Sequence, residues 1–580
     1  MKTIALVSGG KDSILSILLA LRYGHYPVVV ANIAPASHDM REQVHEIDSY
    51  SFQTVGHEIV EAIASCMELP LRRAYVCAGQ SKVTDLHYTN ERDDEDEVEC
   101  LYRLLRAIKE EFPGVEAVTS GAILSNYQRH RVEDVCSRLG LKSLAFLWQR
   151  PANEVLDIAL ALRVDAILVK TASIGLDPGR HLGLTLQEMR PVLEEAQHRY
   201  AVHGAGEGGE FETVVVNCPL FKRYRLEASV VERVIVDDND YAPSGHAVLS
   251  VRRCNKTEKD MKEDAELLQR LPSLTFPSDN MRFLPQDCEG LHEGTRSLHP
   301  FPADHFGDSG QFWPHGSTVY ISEPLRDEAD CEGLLVNVFQ RLTDDTQAND
   351  REVVSLVVFS PSIGHFATFS RVFVRFFPEV KPPGCTFVER KELPAFQVEV
   401  LAALRDSADR VTLHIRSASC WGAPSSGPFS SSNMATVSNE RILVVSGCTG
   451  LLPSTQALAT SSDVPFLASV TLSHVCHDLG IAEEGVVRDF VAQFAFAYAN
   501  CINGLTCFGF VPTSVSHATF FLTDLRFASL LEPLWLWCGG SAFLADTSEG
   551  VACRVLHVTG LLNSGVVGMM LEVRVPVLEG

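Results

Sequence analysis

The chain has 580 residues, of which 46% are hydrophobic and 21% charged, a composition typical of a globular protein with about two to four domains. Its formal net charge of −25 disfavours a nucleic-acid substrate, because proteins that hold a polyanion normally present a basic face. No apolar run reaches the ~18 residues that a membrane-spanning helix needs, so we expect no membrane partner.

Strand and helix patterns alternate from residue 1 to about residue 235. The apolar run 3–8 predicts a buried strand, and 12–24 carries apolar residues at helical spacing before a glycine. Such alternation is typical of a parallel α/β sheet, so we predict a first domain at 1–235. Further strands are predicted at 26–34, 71–77, 115–123, 141–148 and 164–172, with helices at 54–70, 98–113, 132–140 and 153–163.

Beyond residue 235 the pattern changes. Residues 236–300 mix charges with prolines, and we interpret them as an embellishment and a linker. Two later segments look like weak repeats of each other, since each contains a strand, a helix, a second strand and a second helical stretch. We therefore predict two α+β domains at 301–402 and 435–580, separated by a flexible insert at 403–434 that is rich in serine, glycine and proline.

Cysteine usage indicates the compartment. The 16 cysteines include no C-x-x-C pair, and the first residues lack the layout of a signal peptide. We therefore expect free thiols and a cytoplasmic location.

The strand-to-helix turn at residues 8–13 reads SGGKDS. Backbone N–H groups at a helix N-terminus favour an anion, and Gly9 and Gly10 remove side chains that would keep a phosphate away. Lys11 adds a positive charge, and Ser8 and Ser13 add hydroxyl donors. The spacing differs from that of the Walker A loop and of the dinucleotide fingerprint. The turn therefore predicts a phosphate-binding loop of another kind.

Three further polar motifs have both a functional and an ordinary structural interpretation. His57 stands at the start of a predicted helix, where a polar residue is common. A Tyr-Gln-Arg cluster can tie a loop to its neighbours, and a Gly-Glu-Gly-Gly string can be a turn. The cluster comprises Ser125, Asn126, Tyr127, Gln128, Arg129 and Arg131, and the string comprises Glu207, Gly208, Gly209, Glu210 and Glu212.

In combination, these motifs carry a resemblance. The string SGGKDS resembles the PP-loop of the N-type ATP pyrophosphatases, which hold the β,γ-pyrophosphate of ATP and cleave at the α-phosphorus. Together with four other strings it makes the first ~235 residues closely similar to the diphthine–ammonia ligase family of diphthamide biosynthesis. One departure is Leu184, where the family often has a lysine. The other matching strings are QTVGH (53–57), GAILSNYQRxRVE (121–133), GLDPxxHLG (175–183) and GEGGEFET with CPLF (206–221).

The resemblance implies a HUP-like parallel-sheet domain that uses ATP and Mg²⁺. It implies amidation of diphthine on translation elongation factor 2 by ammonium, with AMP and pyrophosphate as products. Ser8, Gly9, Gly10, Lys11 and Ser13 would hold the phosphates, while Asp12 would orient the loop or bind Mg²⁺. Lys11, Asp12, Glu207 and Glu210 would be catalytic, the glutamates by binding ammonium and removing its proton. The remaining pocket would comprise His57, Ser125, Asn126, Tyr127, Gln128, Arg131, Gly208, Gly209 and Glu212.

The two C-terminal repeats resemble, more loosely, the Rid (YjgF-like) imine deaminases, which have a chorismate-mutase-like fold. Those enzymes pair an arginine with the substrate carboxylate. Cys385 stands at the expected position in the first repeat, and a thiol cannot form the bidentate clamp of a guanidinium. In the second repeat Arg554 and Glu572 are candidates for the family's arginine and late glutamate. We favour two scaffold domains over an imine hydrolase that delivers ammonia.

Two alternative functions stay open. A PP-loop enzyme that adenylates tRNA should show paired cysteines or a basic face, and the sequence shows neither. A scaffold with a vestigial PP-loop should have lost parts of the two glycine-rich strings, which are intact. ATP turnover would separate an enzyme from a scaffold.

Overall fold

The computed structural model comprises two compact units, Met1–Asp279 with Arg416–Cys420, and Asn280–Ile415 with Trp421–Gly580. Among the residues that it describes, no helix combines the length and the apolar character needed to span a membrane. The described residues are 1–35, 56–76, 96–239, 241–279, 284–285, 287, 289–295, 298, 317–377, 381–404, 410–437, 440–544 and 551–576.

The first unit contains a five-stranded parallel sheet, a four-stranded antiparallel sheet and the helices that connect their strands. In chain order its elements are β1 (Lys2–Leu6), α1 (Lys11–Arg22), β2 (Tyr26–Pro35), α2 (Val60–Met67), β3 (Leu71–Val76), α3 (Glu97–Glu111), β4 (Val115–Thr119), α4 (Asn126–Leu139), β5 (Lys142–Leu144), α5 (Ala152–Ala161), β6 (Asp165–Ala172), α6 (Pro178–His181), α7 (Leu186–Tyr200), β7 (Phe211–Asn217), β8 (Tyr224–Asp237), β9 (Ser244–Asn255) and α8 (Glu258–Arg270).

The parallel sheet has the strand order β3-β2-β1-β4-β5, which confirms the predicted α/β class. Its central strand β1 is buried at Ile4 and Ala5, as expected for a strand covered on both faces. The chain leaves β1 toward β2 on one side and returns to β4 on the other. The crevice beyond the carboxyl ends of β1 and β4 is therefore the switch point at which such sheets bind ligands.

One strand that the sequence predicts for this sheet pairs with strands of the other sheet instead. The run 164–172 forms β6, but β6 pairs antiparallel with β7 and β9 in the second sheet, whose order is β7-β6-β9-β8. A buried apolar run looks the same in a parallel and an antiparallel sheet, so its own residues do not reveal its neighbours.

Two predicted limits also differ from the structure. The predicted helix 132–140 begins earlier, at Asn126, because the Ser125 hydroxyl accepts a hydrogen bond from the Gln128 N–H (3.2 Å) and caps the helix. The predicted domain limit at residue 235 falls inside β8, which pairs with β9 along its length. Parts of the predicted helix 54–70, linker 236–300 and insert 403–434 lie outside the described residues.

The second unit contains two mixed sheets with helices. In chain order its elements are α9 (Glu289–Thr295), β10 (Ser317–Ile321), α10 (Cys331–Ala348), β11 (Arg351–Ser360), α11 (Phe366–Phe376), β12 (Gly384–Glu389), β13 (Gln397–Leu404), β14 (Val411–Leu413), β15 (Ser432–Val437), β16 (Glu440–Thr449), α12 (Ser473–Leu479), α13 (Glu484–Thr506), β17 (His517–Leu522), α14 (Leu531–Trp537), β18 (Phe543–Leu544), β19 (Val551–His557), β20 (Gly560–Leu561) and β21 (Val567–Pro576).

The two sheets repeat one topology. The first has the order β10-β13-β11-β12-β20, and the second contains β16-β21-β17-β19 within seven strands. In each four-strand set the first two pairings are antiparallel and the third is parallel. A helix directly precedes the third strand of both sets, α10 before β11 and α13 before β17. This correspondence confirms the predicted pair of α+β repeats.

Candidate functional site

A cavity of about 410 Å³ opens beyond the carboxyl ends of β1 and β4. Residues from β1, the turn after it, α1, β2, α3, the loop after β4, α4, the stretch before β7 and β7 itself line it, so distant parts of the first unit meet at the switch point. The lining residues are Leu6, Val7, Ser8, Lys11, Asp12, Ser13, Ala31, Asn32, Ile33, Leu101, Ser120, Gly121, Ala122, Gln128, Val132, Gly206, Glu207, Gly208, Gly209, Phe211, Glu212 and Thr213.

The glycine-rich turn between β1 and α1 forms one wall of the cavity. Gly9 has a φ of +101°, a conformation that L side chains rarely adopt, and its carbonyl accepts a hydrogen bond from the Val215 N–H (2.9 Å). Gly10 is the N-cap of α1, and its carbonyl accepts from the Ser13 hydroxyl (2.8 Å). The first amides of α1 are therefore placed at the cavity edge, where a helix N-terminus favours an anion.

Lys11 ties this turn to the second glycine-rich string. Its side chain is buried; the ammonium donates to the carboxylate of Asp12 (2.8 Å) and to the carbonyl of Ala205. The same ammonium lies 5.1 Å from the centre of the Phe211 ring. The Lys11 backbone N–H donates to the hydroxyl of Thr213 (3.1 Å). One positive charge is thus held in place at the cavity wall.

Asp12 has an atom with the character of a cation ligand. Its Oδ1 is buried and has no hydrogen-bond partner among the described residues. A buried carboxylate oxygen without a donor suits a hard divalent cation such as Mg²⁺. Among the described residues, there is no cluster of three or more histidine, cysteine, aspartate or glutamate side chains that could hold a metal ion. Oxygen atoms of a bound nucleotide would therefore have to supply further ligands.

Glu207 joins the second glycine-rich string to the loop after β4. Its Oε1 accepts hydrogen bonds from three successive backbone N–H groups, those of Ile123 (2.9 Å), Leu124 (2.8 Å) and Ser125 (2.8 Å). Burial raises the pKa of Glu207, although the three donors favour its charged form. One carboxylate oxygen of Glu207 therefore binds the three backbone N–H groups that precede α4. The other oxygen is available to a ligand.

The neighbouring glutamates occupy different positions. Oε1 of Glu210 accepts from the His203 N–H (3.1 Å), and the Glu207 N–H donates to Nδ1 of His203 (3.2 Å). Burial lowers the pKa of His203, so its ring tends to be neutral. Glu212 lies at the cavity, with Lys170 Nζ 3.4 Å from its carboxylate. Of the three glutamates in the string, Glu207 and Glu212 line the cavity.

Sequence comparisons identify the family to which the chain belongs. The model of the diphthamide synthase N-terminal domain matches residues 1–143, and that of the diphthamide synthase C-terminal domain matches residues 152–248. The diphthine–ammonia ligase of Schizosaccharomyces pombe is 32% identical over 474 residues, covering 79% of this chain and 74% of that protein. The chain belongs to the diphthine–ammonia ligase family.

Shorter ligases of the same family match as well. The diphthine–ammonia ligase of Rattus norvegicus is 45% identical over 250 residues, which are 43% of this chain and 91% of the rat protein. That of Mus musculus is 41% identical over 273 residues, which are 47% of this chain and all of the mouse protein. The family resemblance predicted from the motifs is therefore confirmed, and with it a ligase that forms C–N bonds. Membership of the family implies the use of ATP.

Solved structures also match parts of the ligase. A chorismatase covers 44% of this chain and 74% of its own, with a TM-score of 0.30 and 14% identity. RidA from an Antarctic Psychrobacter covers 27% of this chain and 94% of its own, with a TM-score of 0.18 and 19% identity.

The structure brings only part of the predicted site of the ligase to the cavity. His57 lies in a short turn before α2, where its carbonyl accepts from Arg73 (3.2 Å). Arg131 is buried with its guanidinium against the ring of Tyr127. At the cavity are Ser8, Lys11, Asp12, Ser13, Gln128, Glu207, Gly208, Gly209 and Glu212, whereas Gly9, Gly10, His57, Ser125, Asn126, Tyr127, Arg131 and Glu210 are outside its lining.

Sequence reasoning missed several lining residues of the ligase. Asn32 is a polar residue in the otherwise apolar strand β2; its side-chain amide donates to the Val7 carbonyl (2.9 Å), and its oxygen accepts from Arg73 (2.8 Å). A single polar residue in an apolar strand is a signal from which the place of Asn32 at the cavity could have been predicted. Gly121 lies so close to α1 that a Cβ would stand 3.1 Å from the Ser13 nitrogen. Gly121 belongs to a matching string but was not assigned to the pocket.

We expect Glu207 to leave a signature in the pH dependence of stability. Its folded pKa is raised, so its contribution to the stability of the ligase is present below the ordinary value of 4.5 and is lost as pH rises through the raised value. The free energy of unfolding of the wild type minus that of Glu207→Gln should therefore fall over this range. Urea unfolding of both proteins from pH 4 to pH 8 measures the difference.

The exposed Glu195, paired with Arg199 at 2.9 Å, supplies the matched control. The wild type minus Glu195→Gln difference should stay nearly flat over the same pH range, since a surface pair contributes little. A flat or rising difference for Glu207→Gln would contradict the assignment.

Proposed function

We propose that this ligase amidates diphthine on translation elongation factor 2 with ammonium, and that ATP is converted to AMP and pyrophosphate. The observation that carries the proposal is the convergence of Lys11, Asp12 and Glu207 on one cavity at the sheet's switch point. A carboxylate does not react with ammonia near neutral pH, since oxide is a poor leaving group. ATP supplies adenylation, which gives the carboxylate a better leaving group.

The turn at residues 8–13 is the proposed phosphate site. The first amides of α1 and the hydroxyls of Ser8 and Ser13 would donate to the phosphate oxygens. Lys11, already held at the wall by Asp12 and Ala205, would add a fixed positive charge without reorganising. Asp12 Oδ1 is the proposed protein ligand for Mg²⁺, which a buried oxygen without a donor supports.

The second glycine-rich string is the proposed ammonium site. Glu207 and Glu212 both face the cavity and offer carboxylate oxygens to a cation. The raised pKa of Glu207 suits a group that accepts a proton from ammonium, because a stronger base is formed when the charged carboxylate is disfavoured. Glu210, whose carboxylate accepts from the backbone of His203, is proposed to hold this string in place.

The two α+β repeats are proposed to be scaffold domains. Cys385 lies buried on β12, and burial raises the pKa of its thiol well above the ordinary value. A neutral thiol at this position does not provide the cation that would pair with a substrate carboxylate. Arg554 and Glu572 lie on β19 and β21 of the other sheet. They remain candidates for an imine-hydrolase site there.

The deciding experiment combines the purified protein, ATP, Mg²⁺, ammonium and elongation factor 2 in its diphthine form. AMP release is followed together with the mass change expected when a carboxylate becomes an amide. Both signals should appear only when all components are present. AMP without the mass change would move the proposal to another acceptor, such as tRNA. The absence of both would favour a scaffold with a vestigial loop.

A further inference from the structure

The segment Arg416–Cys420 belongs to the first unit, whereas the chain on either side of it belongs to the second. It lies beyond both family matches, the second of which ends at residue 248. The Ala418 N–H donates to the Ser143 carbonyl (2.9 Å), and the Ala145 N–H donates to the Ala418 carbonyl (2.8 Å). The segment therefore forms an isolated parallel bridge to β5, in which Ala418 lies opposite Leu144.

Ser417 supplies hydrogen bonds to a buried carboxylate on α4. Its hydroxyl and its backbone N–H both donate to Oε1 of Glu133, at 2.6 and 2.9 Å. Ser417 and Glu133 are only 2% and 3% exposed. A buried carboxylate is costly unless donors surround it, so the two donors of Ser417 offset part of the cost of burying Glu133.

Glu133 in turn holds Arg129, one turn earlier on α4. Both carboxylate oxygens of Glu133 accept from Nη1 of Arg129, at 2.8 and 3.1 Å. The Arg129 guanidinium also lies 4.6 Å from the ring centre of Trp148 and donates to the side-chain oxygen of Asn126 (3.1 Å). A continuous set of contacts therefore leads from Ser417 to the first turn of α4.

The first turns of α4 form a wall of the cavity. Gln128 and Val132 line it, and the N–H of the N-cap Ser125 donates to Glu207. A shift of α4 would move these groups together, because they share one helix. Small displacements of positioned groups are expensive in catalysis, where bound geometry supplies much of the rate.

The far end of the segment is anchored separately. Cys420 is buried; its sulfur lies 3.1 Å from the Tyr23 hydroxyl and accepts from Nη2 of Arg150 (3.3 Å). Arg150 also pairs with Glu154 (2.6 Å) and Asp279 (2.5 Å). The segment is thus held at both ends, and its position does not depend on Ser417 alone.

We propose that Ser417 is a positioning residue for the ligase site, acting on the α4 wall of the cavity through Glu133 and Arg129. The part of this inference that concerns turnover rests on the proposed function. The part that concerns the order of α4 does not.

Ser417→Ala is the variant that tests this inference, measured in the full chain. We expect kcat of AMP formation at saturating ATP to fall about tenfold, since a hydrogen bond to a charged group is worth that much. Hydrogen exchange of α4 amides, read by mass spectrometry on peptides covering residues 126–139, should accelerate, while that of α13 stays unchanged. Thr346→Ala, which removes a buried hydroxyl that donates to Leu342 O within α10, should change neither readout.

A double-mutant cycle separates positioning from general destabilisation. In a Glu133→Gln background, Ser417→Ala should lower kcat by less than about twofold, because the charged partner is already gone. An equal effect in both backgrounds, or α4 exchange as slow in Ser417→Ala as in the wild type, would overturn the inference. If the wild type forms no AMP, the proposed function fails by itself, and the exchange measurement still decides whether Ser417 orders α4.

Discussion

Lys11→Met lowers the rate of AMP formation at saturating ATP by about 10²–10³-fold, the usual cost of removing one preorganised electrostatic group. The ammonium of Lys11 is held at the cavity wall by Asp12 (2.8 Å) and the Ala205 carbonyl before any ligand arrives. Methionine keeps the unbranched stem that packs near Phe211 but removes the charge. Steady-state kinetics on the purified variant measures the loss.

Two further variants make this result interpretable. Asp12→Asn keeps the shape of the side chain and removes the carboxylate that faces Lys11, and we expect a loss of similar size. The exposed Lys222 offers the control, because Lys222→Met also removes one positive charge from the first unit but should retain wild-type turnover. Circular dichroism spectra that match the wild type show that the variants are folded. Near-normal turnover in folded Lys11→Met would refute the phosphate role of the loop.

Lys256→Met destabilises the first unit by about 3–5 kcal/mol, as expected when one partner of a buried ion pair is removed. The Lys256 side chain is 0% exposed, and its ammonium lies 2.7 Å from Asp264 on α8. The same ammonium donates to the carbonyls of Cys218 (2.9 Å) and Phe221 (3.0 Å). The variant leaves a carboxylate and two carbonyls buried with fewer donors.

Urea unfolding followed by circular dichroism measures this change. Lys259→Met is the matched control on α8, the helix of Asp264. The Lys259 side chain is 82% exposed and lies 3.7 Å from Glu263, so the change in free energy of unfolding should stay within about 0.5 kcal/mol. Adding Asp264→Leu to Lys256→Met should recover part of the loss, because the apolar pair no longer buries a charge while the carbonyls of Cys218 and Phe221 still lack their donor. If Lys256→Met lowered the free energy of unfolding as little as Lys259→Met does, the stabilising role of the buried Lys256–Asp264 pair would be contradicted.

Local patterns were sufficient for much of the fold and for the main features of the site. The strand that ends before Ser8 and the helix that follows Gly10 were predictable, because apolar spacing and glycine positions act over a few residues. The same local rules missed the early start of α4, although Ser125 is a good N-cap residue. Whether the Ser125 side chain caps a helix can be decided only when the course of the following helix is known.

The cavity depended on contacts that sequence patterns do not contain. His57 and Arg131 carry the right chemistry in the right motifs, yet the structure places them outside the cavity lining, whereas Asn32 lines it. Which residues of a motif face a cavity depends on the rotation of each helix and on the register of each strand. Those are settled by packing among distant segments.

The sequence by itself determined the parallel α/β class of the first unit, the glycine-rich turn between its first strand and first helix, the family and the two α+β repeats, because each rests on short-range spacing or on matching strings. Tertiary structure alone decided that β6 joins an antiparallel sheet, that Glu207 takes the amides before α4, and that Arg416–Cys420 pairs with β5. In all three cases backbone donors or acceptors are satisfied by residues far away in the chain. Buried hydrogen-bonding groups need such partners. Because these partners are far away in the sequence, local patterns do not reveal them.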